Sequence, residues 1–237
     1  MAEKTTIVLV HGSFADASGF GGVIKELETA GYDVVAMPNP LRSLAADAES
    51  VATRVKAIDG PVLLVGHSYG GAVIGQASKG LDNVKALVYL AGFGLDEGES
   101  CASILEPYEP SMLVKNISPT SYDAPGAAGG PDLYVNKEAF YEAFCADVSE
   151  DVAGVMYATQ RPMAAAGFNE KATAAGWKNI PSWYLVSDKD NGIPPKCQAF
   201  MAERMKATTE HIDGSHVAFI AQPQAAAAFI KKAAQTS

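Results

Sequence analysis

Val62-Leu-Leu-Val-Gly66-His67-Ser68-Tyr69-Gly70-Gly71-Ala-Val-Ile74 decides how this chain is read. An apolar, β-branched run leads into G-H-S-Y-G, and a helix-compatible run follows. This pattern predicts a strand, a very tight turn and a helix. Glycines on either side of Ser68 remove the Cβ atoms that would block such a turn, so the serine can take a strained backbone conformation with its hydroxyl exposed above a parallel sheet. The helix that follows aims its first amides at the same point, where they can hold developing negative charge. This is the layout of a nucleophile elbow, with Ser68 as nucleophile. A phosphate loop would need a Lys after its last Gly, and a dinucleotide fold would need G-x-G-x-x-G; the stretch supplies neither.

Working outward, the same strand-then-helix alternation recurs. Thr6–Val10 reads as a strand buried on both faces, followed by a helix over Val23–Ala30 that Gly31 stops. A strand over Asp33–Met37 ends at Pro38-Asn39-Pro40. Ser43 is placed to cap a helix running through Ile58, with Leu44, Val51, Val55 and Ile58 on one face. Pro61–Val65 and Val84–Ala91 are strands around the elbow and its helix over Ser68–Ser78. Near the C-terminus come strands over Ile180–Ser187 and Thr208–Ile212, with helices over Lys196–Lys206 and Pro223–Ala234. Such alternation implies right-handed crossovers and a mostly parallel sheet with helices on both faces.

Between Phe93 and Phe168 the strand pattern vanishes. Pro107, Pro110, Pro119, Pro125 and Pro131 punctuate this region, along with a Gly-Ala-Ala-Gly-Gly run at 126–130. Helical patches are expected at Lys137–Phe144 and Ser149–Thr159. The region is too long for a connection and too apolar for a linker. It reads as a helical cap over about 93–168, inserted into a core formed by 1–92 and 169–237, within a single domain.

The chain has 237 residues, of which 48% are hydrophobic, enough for a sizeable core; its formal charge is −9, which disfavours nucleic acid and anionic membranes as partners. Cys101, Cys145 and Cys197 are odd in number and far apart, so neither a disulfide framework nor a zinc site is expected. No metal or cofactor is expected. The start, Met-Ala-Glu-Lys and then a strand, lacks the features of a signal peptide, and no apolar run is long enough to span a bilayer, so a cytoplasmic protein is expected. A homodimer is compatible with the cap or a sheet edge but is not required.

A serine hydroxyl needs a base, usually a His oriented by a carboxylate. After an elbow of this kind the expected chain order is Ser, then acid, then His, with the last two on loops after late strands. Of the four histidines, His11 and His67 read as structural, and His211 lies within a strand pattern. His216, in the loop Asp213-Gly-Ser-His216, reads as the base. The acid is Asp188 or Asp190, both directly after a strand; Asp213 is too close in sequence to His216. The oxyanion of a tetrahedral intermediate needs two donors. The backbone N–H groups of Tyr69 and of Ser13, in the loop after the first strand, are expected to supply them.

V-H-G-S-F at 10–14, G-H-S-Y-G-G at 66–71, S-D-K-D-N-G-I-P-P at 187–195 and D-G-S-H at 213–216 occur in order, and together they resemble the α/β-hydrolase superfamily over nearly the whole chain. The spacing of Asp190 to Pro194 matches the acid loop of that fold and favours Asp190 over Asp188. The short start and the helical insertion are similar to the small esterases related to plant methyl esterases and hydroxynitrile lyases. The resemblance implies a cofactor-free serine carboxylesterase acting on small esters through Ser68, His216 and Asp190. Lyases of that group carry a Thr after the loop His and a Lys after the catalytic His. Gly12 and Val217 stand at those positions, which disfavours lyase chemistry. Dehalogenases and epoxide hydrolases use an Asp nucleophile. Cofactor-free haloperoxidase or perhydrolase activity, and a non-turnover role as a small-molecule binding protein, are the alternatives. Phe14, Tyr69, Phe93, Tyr108, Tyr157 and Met163 are expected to line an apolar substrate pocket.

Overall fold

The computed structural model describes residues 4–123 and 130–236. Met1–Glu3 of the N-terminal reading, Pro125, and the 126–130 run up to Gly129 lie outside those residues. The first half runs β1 (Thr6–Val10), a 3-10 turn over Ala17–Phe20, α1 (Gly21–Thr29), β2 (Asp33–Met37), α2 (Leu44–Lys56), β3 (Val62–His67), α3 (Tyr69–Ala77) and β4 (Val84–Leu90). The middle contains α4 (Cys101–Leu105), α5 (Met112–Lys115), β5 (Ile117–Thr120), β6 (Asp132–Val135), α6 (Lys137–Phe144), α7 (Glu150–Ala158), β7 (Met163–Ala164) and α8 (Ala165–Asn169). The end runs β8 (Ser182–Ser187), α9 (Pro195–Arg204), β9 (Thr208–Ile212), α10 (Ala218–Ala221) and α11 (Pro223–Gln235).

The strands outside the middle region form one six-stranded sheet in the order β2-β1-β3-β4-β8-β9. Every pairing in it is parallel. The continuous apolar runs of β1 and β3 are buried along their whole length, as central strands covered on both faces must be, whereas the edge strands β2 and β9 keep exposed positions. Helices cover both faces, with α1 packed on α11 and α2 on α3. Ser43 caps α2 by accepting the Ala46 amide, a contact worth about 1 kcal/mol. The helix ends at Lys56, short of the expected Ile58, because the Ala57 and Ile58 amides turn back to Arg54 and Val55 in a tighter final turn.

The middle region is not purely helical, as the sequence suggests it should be. Its strands β5, β6 and β7 form a separate three-stranded antiparallel sheet. Pro119 lies within β5, which pairs with β6 alone. An edge strand tolerates a residue without an N–H, since one side of its ladder is unpaired. Among the described residues, no helix is long and apolar enough to cross a membrane.

Candidate active site

β3 carries the chain to His67, and α3 begins at Tyr69. Ser68 between them has φ 53° and ψ −124°, a conformation that L-residues rarely adopt. It is held there from both sides: its amide donates to Leu90 O at 3.3 Å, and its carbonyl accepts the Gly71 and Phe93 amides at 2.9 Å each. The turn also needs close backbone approach. A Cβ on Gly70 would sit 2.2 Å from Val10 O, and one on Gly12 would sit 2.6 Å from Ser68 Cβ. Glycine at both points lets the β1 loop lie against Ser68.

Ser68 is buried rather than exposed as the elbow pattern suggests, because the middle region covers it. Ser68 and His216 face one cavity, walled on the core side by Ser13, Phe14, Gly192 and Ile193 and on the cap side by Phe93, Leu105, Leu113, Val114, Ile117 and Phe168. Its volume is only about 30 Å³.

His216 follows β9 and is fully enclosed. Its Nδ1 lies 2.7 Å from Asp190 Oδ2 and donates to it, while its Nε2 has no hydrogen-bond partner among the described residues. Asp190, after β8, is equally enclosed. Its Oδ1 accepts the Gly192 and Ile193 amides at 2.6 and 2.9 Å, while Oδ2 also accepts Gln198 Nε2 at 2.7 Å. Asp188 is exposed and pairs with His211 at 2.7 Å, so it is spatially committed elsewhere. Of the two aspartates, Asp190 is the one that bonds His216.

The other two histidines are structural, as their positions suggest. His11 Nδ1–H donates to Gly12 O at 2.8 Å, and its Nε2 accepts the Asn39 amide at 2.9 Å, tying the β1 loop to the β2 loop. His67 Nε2–H donates to His216 O at 2.9 Å, and its ring lies 4.8 Å from the His216 ring. Burial lowers the pKa of His11 and lowers that of His67 far more, so both are neutral.

Of the residues expected to line the pocket, Phe14 and Phe93 do. Tyr108 lines an adjoining outer cavity. Tyr157 does not reach the site: it packs edge-on against Phe140, with ring centroids 5.6 Å apart, on the outer side of the cap. Met163 is fully buried in β7, where it contacts the space around Gly167 instead of the cavity. The Tyr69 side chain also points away, donating its hydroxyl to buried Asp47 at 2.8 Å, so only its backbone N–H is left to face the site. That amide is the first of α3 and has no acceptor within the helix.

Three supporting residues have no motif to reveal them. Gln198 on α9 holds Asp190 and also accepts the Ser187 amide at 3.0 Å. Asp47 anchors Tyr69. Asp147, from the cap, accepts the Ser215 amide at 2.7 Å and the Ser215 hydroxyl, directly before His216. A charge-bearing residue preceded by apolar Phe144-Cys145 and followed by Val148 was the one available signal for Asp147, and it is weak. The three cysteines are free and buried, and burial raises the Cys145 and Cys197 thiols to about 12, far from nucleophilic.

The sequence model of the alpha/beta hydrolase family matches residues 7–229. The chain belongs to that family. Among curated proteins, it is similar to a probable hydrolase, R7, of a Phoma species, at 28% identity over 87% of this chain and 86% of that one. It is also similar to the alpha/beta hydrolase nvfD of Aspergillus novofumigatus, at 27% identity over 98% and 97% of the two chains. Among solved structures, polyneuridine aldehyde esterase superposes with a TM-score of 0.84 at 19% identity, over 98% of this chain and 100% of that one. At that identity the superposition speaks for the fold alone.

Proposed function

We propose that this member of the family is a carboxylesterase that cleaves small-molecule esters through an acyl-enzyme on Ser68. The observation that carries the reading is the buried Asp190–His216 pair, with the unpartnered Nε2 of His216 sharing a cavity with the strained Ser68. Asp190 fixes the tautomer and orientation of the imidazole. His216 Nε2 takes the Ser68 proton as Oγ attacks the ester carbonyl. The backbone N–H groups of Ser13 and Tyr69 hold the oxyanion, and His216 returns the proton to the departing alcohol. Water then repeats the sequence and releases the acid. Enclosure by apolar side chains strengthens each of these electrostatic contacts. Buried, neutral Val217 follows His216, which leaves no ammonium there for cyanide departure.

The test is turnover of p-nitrophenyl and methyl esters by the protein and by Ser68→Ala, with mass spectrometry after a fluorophosphonate probe. The expected result is a single adduct on Ser68 and a loss of at least about 10³-fold in kcat/KM in the variant. Turnover that survives Ser68→Ala, or no adduct on the folded protein, would refute the reading.

A further inference from the structure

The cavity over Ser68 has a volume of about 30 Å³, whereas sites for drug-sized ligands run from about 300 to 1,000 Å³. The body of a substrate therefore has to lie elsewhere. Leu105, Val114 and Phe168 form part of the wall of this cavity and also part of the wall of a second one, of about 450 Å³, on its outer side. These three side chains are the wall shared by the two chambers. The outer chamber carries Tyr108 and the exposed carboxylate residues Glu106 and Glu109, and no Lys, Arg or His lines it. Lys115 follows Val114 in sequence but lies outside the lining. Arg204, close enough to influence Tyr108, is occupied by Glu99 at 2.6 and 2.8 Å and by Gly94 O at 2.7 Å. The chamber is thus apolar with an uncompensated acidic rim, in a chain of net charge −9.

We propose that the outer chamber binds the alcohol portion of the ester, with a short acyl group seated over Ser68, and that Glu106 and Glu109 select bulky uncharged or cationic alcohols against those bearing a carboxylate. This rests on the esterase reading. Its direction follows from the chemistry: the acyl group stays bonded to Ser68 through the first step, while the alcohol has to leave toward solvent, and the outer chamber is the side that opens. Two partly screened carboxylates a few ångströms from an anionic group disfavour it by about tenfold.

The experiment compares kcat/KM for 2-naphthylmethyl acetate with its 6-carboxylate and 6-trimethylammonium analogues, in the protein, in Glu106→Gln/Glu109→Gln and in Phe168→Trp. The carboxylate should be disfavoured about tenfold against the neutral ester, and the double variant should lose most of that ratio. Phe168→Trp should raise KM for the naphthyl ester more than for methyl acetate. Equal rates for all three esters, or a ratio unmoved by the double variant, would overturn the proposal. Binding of the free naphthylmethanols to Ser68→Ala, which needs no chemistry, separates the two readings. A preference for the neutral or cationic alcohol over the carboxylate there supports the chamber even where ester turnover fails, and no preference rejects the chamber even where turnover succeeds.

Discussion

Each oxygen of the Asp190 carboxylate has separate partners: Oδ1 takes two backbone amides, and Oδ2 takes His216 and Gln198. Asp190→Asn keeps the shape but turns an NH₂ toward one of these donors and loses the acceptor that sets the His216 tautomer. It is expected to lower kcat about 10³–10⁴-fold and to cost about 1–3 kcal/mol of stability, measured by steady-state kinetics alongside thermal unfolding. Tyr69 offers a contrasting case, in which the backbone serves the site and the side chain serves the fold. Tyr69→Phe would leave the buried Asp47 short of a donor and should cost about 1–3 kcal/mol in denaturant unfolding. At this scale Ser68 and His216 were legible because a nucleophile turn and a late loop His have few competing explanations. Gln198 and Asp47 were not, since a lone polar residue on a helix gives no sign in sequence of which way it faces.

The elements of the core follow from long apolar runs and clear stops, and the six strands of the main sheet were all legible for that reason. The small sheet of the cap was not. Its strands are four, four and two residues long, one contains a proline, and short strands of this kind carry no period to detect. The middle region is stitched to the rest of the chain at several points. Arg42 pairs with Asp132 at 2.7 Å, the Ala164 amide reaches Leu41 O at 3.0 Å, and the Phe14 amide reaches Arg161 O at 3.0 Å. The contact nearest the chemistry is Asp147 on Ser215, reinforced by the Phe144 ring 5.4 Å from that of His216. Asp147→Ala frees the loop that carries His216 and should lower kcat about 10–100-fold while leaving KM within a few-fold; Asp147→Asn, which keeps one acceptor, should recover part of the loss. An unchanged kcat would show that the cap merely covers the site without positioning it.

For the molecule as a whole, the buried neutral histidines make stability depend on pH. His11 and His67 have pKa values lowered in the folded state, so the unfolded chain binds more protons once the pH falls below about 6.5. Stability is fully present above that pH and declines below it, by about 1.4 kcal/mol per pH unit for each histidine until its folded pKa is reached. Asp47, with its pKa raised mainly by burial, acts in the opposite direction and gains stability on protonation. Denaturant titrations between pH 7.5 and 5 should show the decline, and His67→Gln, which can still donate to His216 O but cannot titrate, should flatten it. The turn at Ser68 has a consequence for the molecule too. Its φ of 53° and ψ of −124° suit glycine but not serine or alanine. Ser68→Gly, which on the esterase reading is chemically dead, should therefore unfold at a higher temperature than the intact protein, by a margin worth about 1 kcal/mol, whereas Ser68→Ala should not. The fold is held below its own ceiling of durability at one residue, and a thermostability screen that ignored activity would be drawn first to the substitution that destroys it.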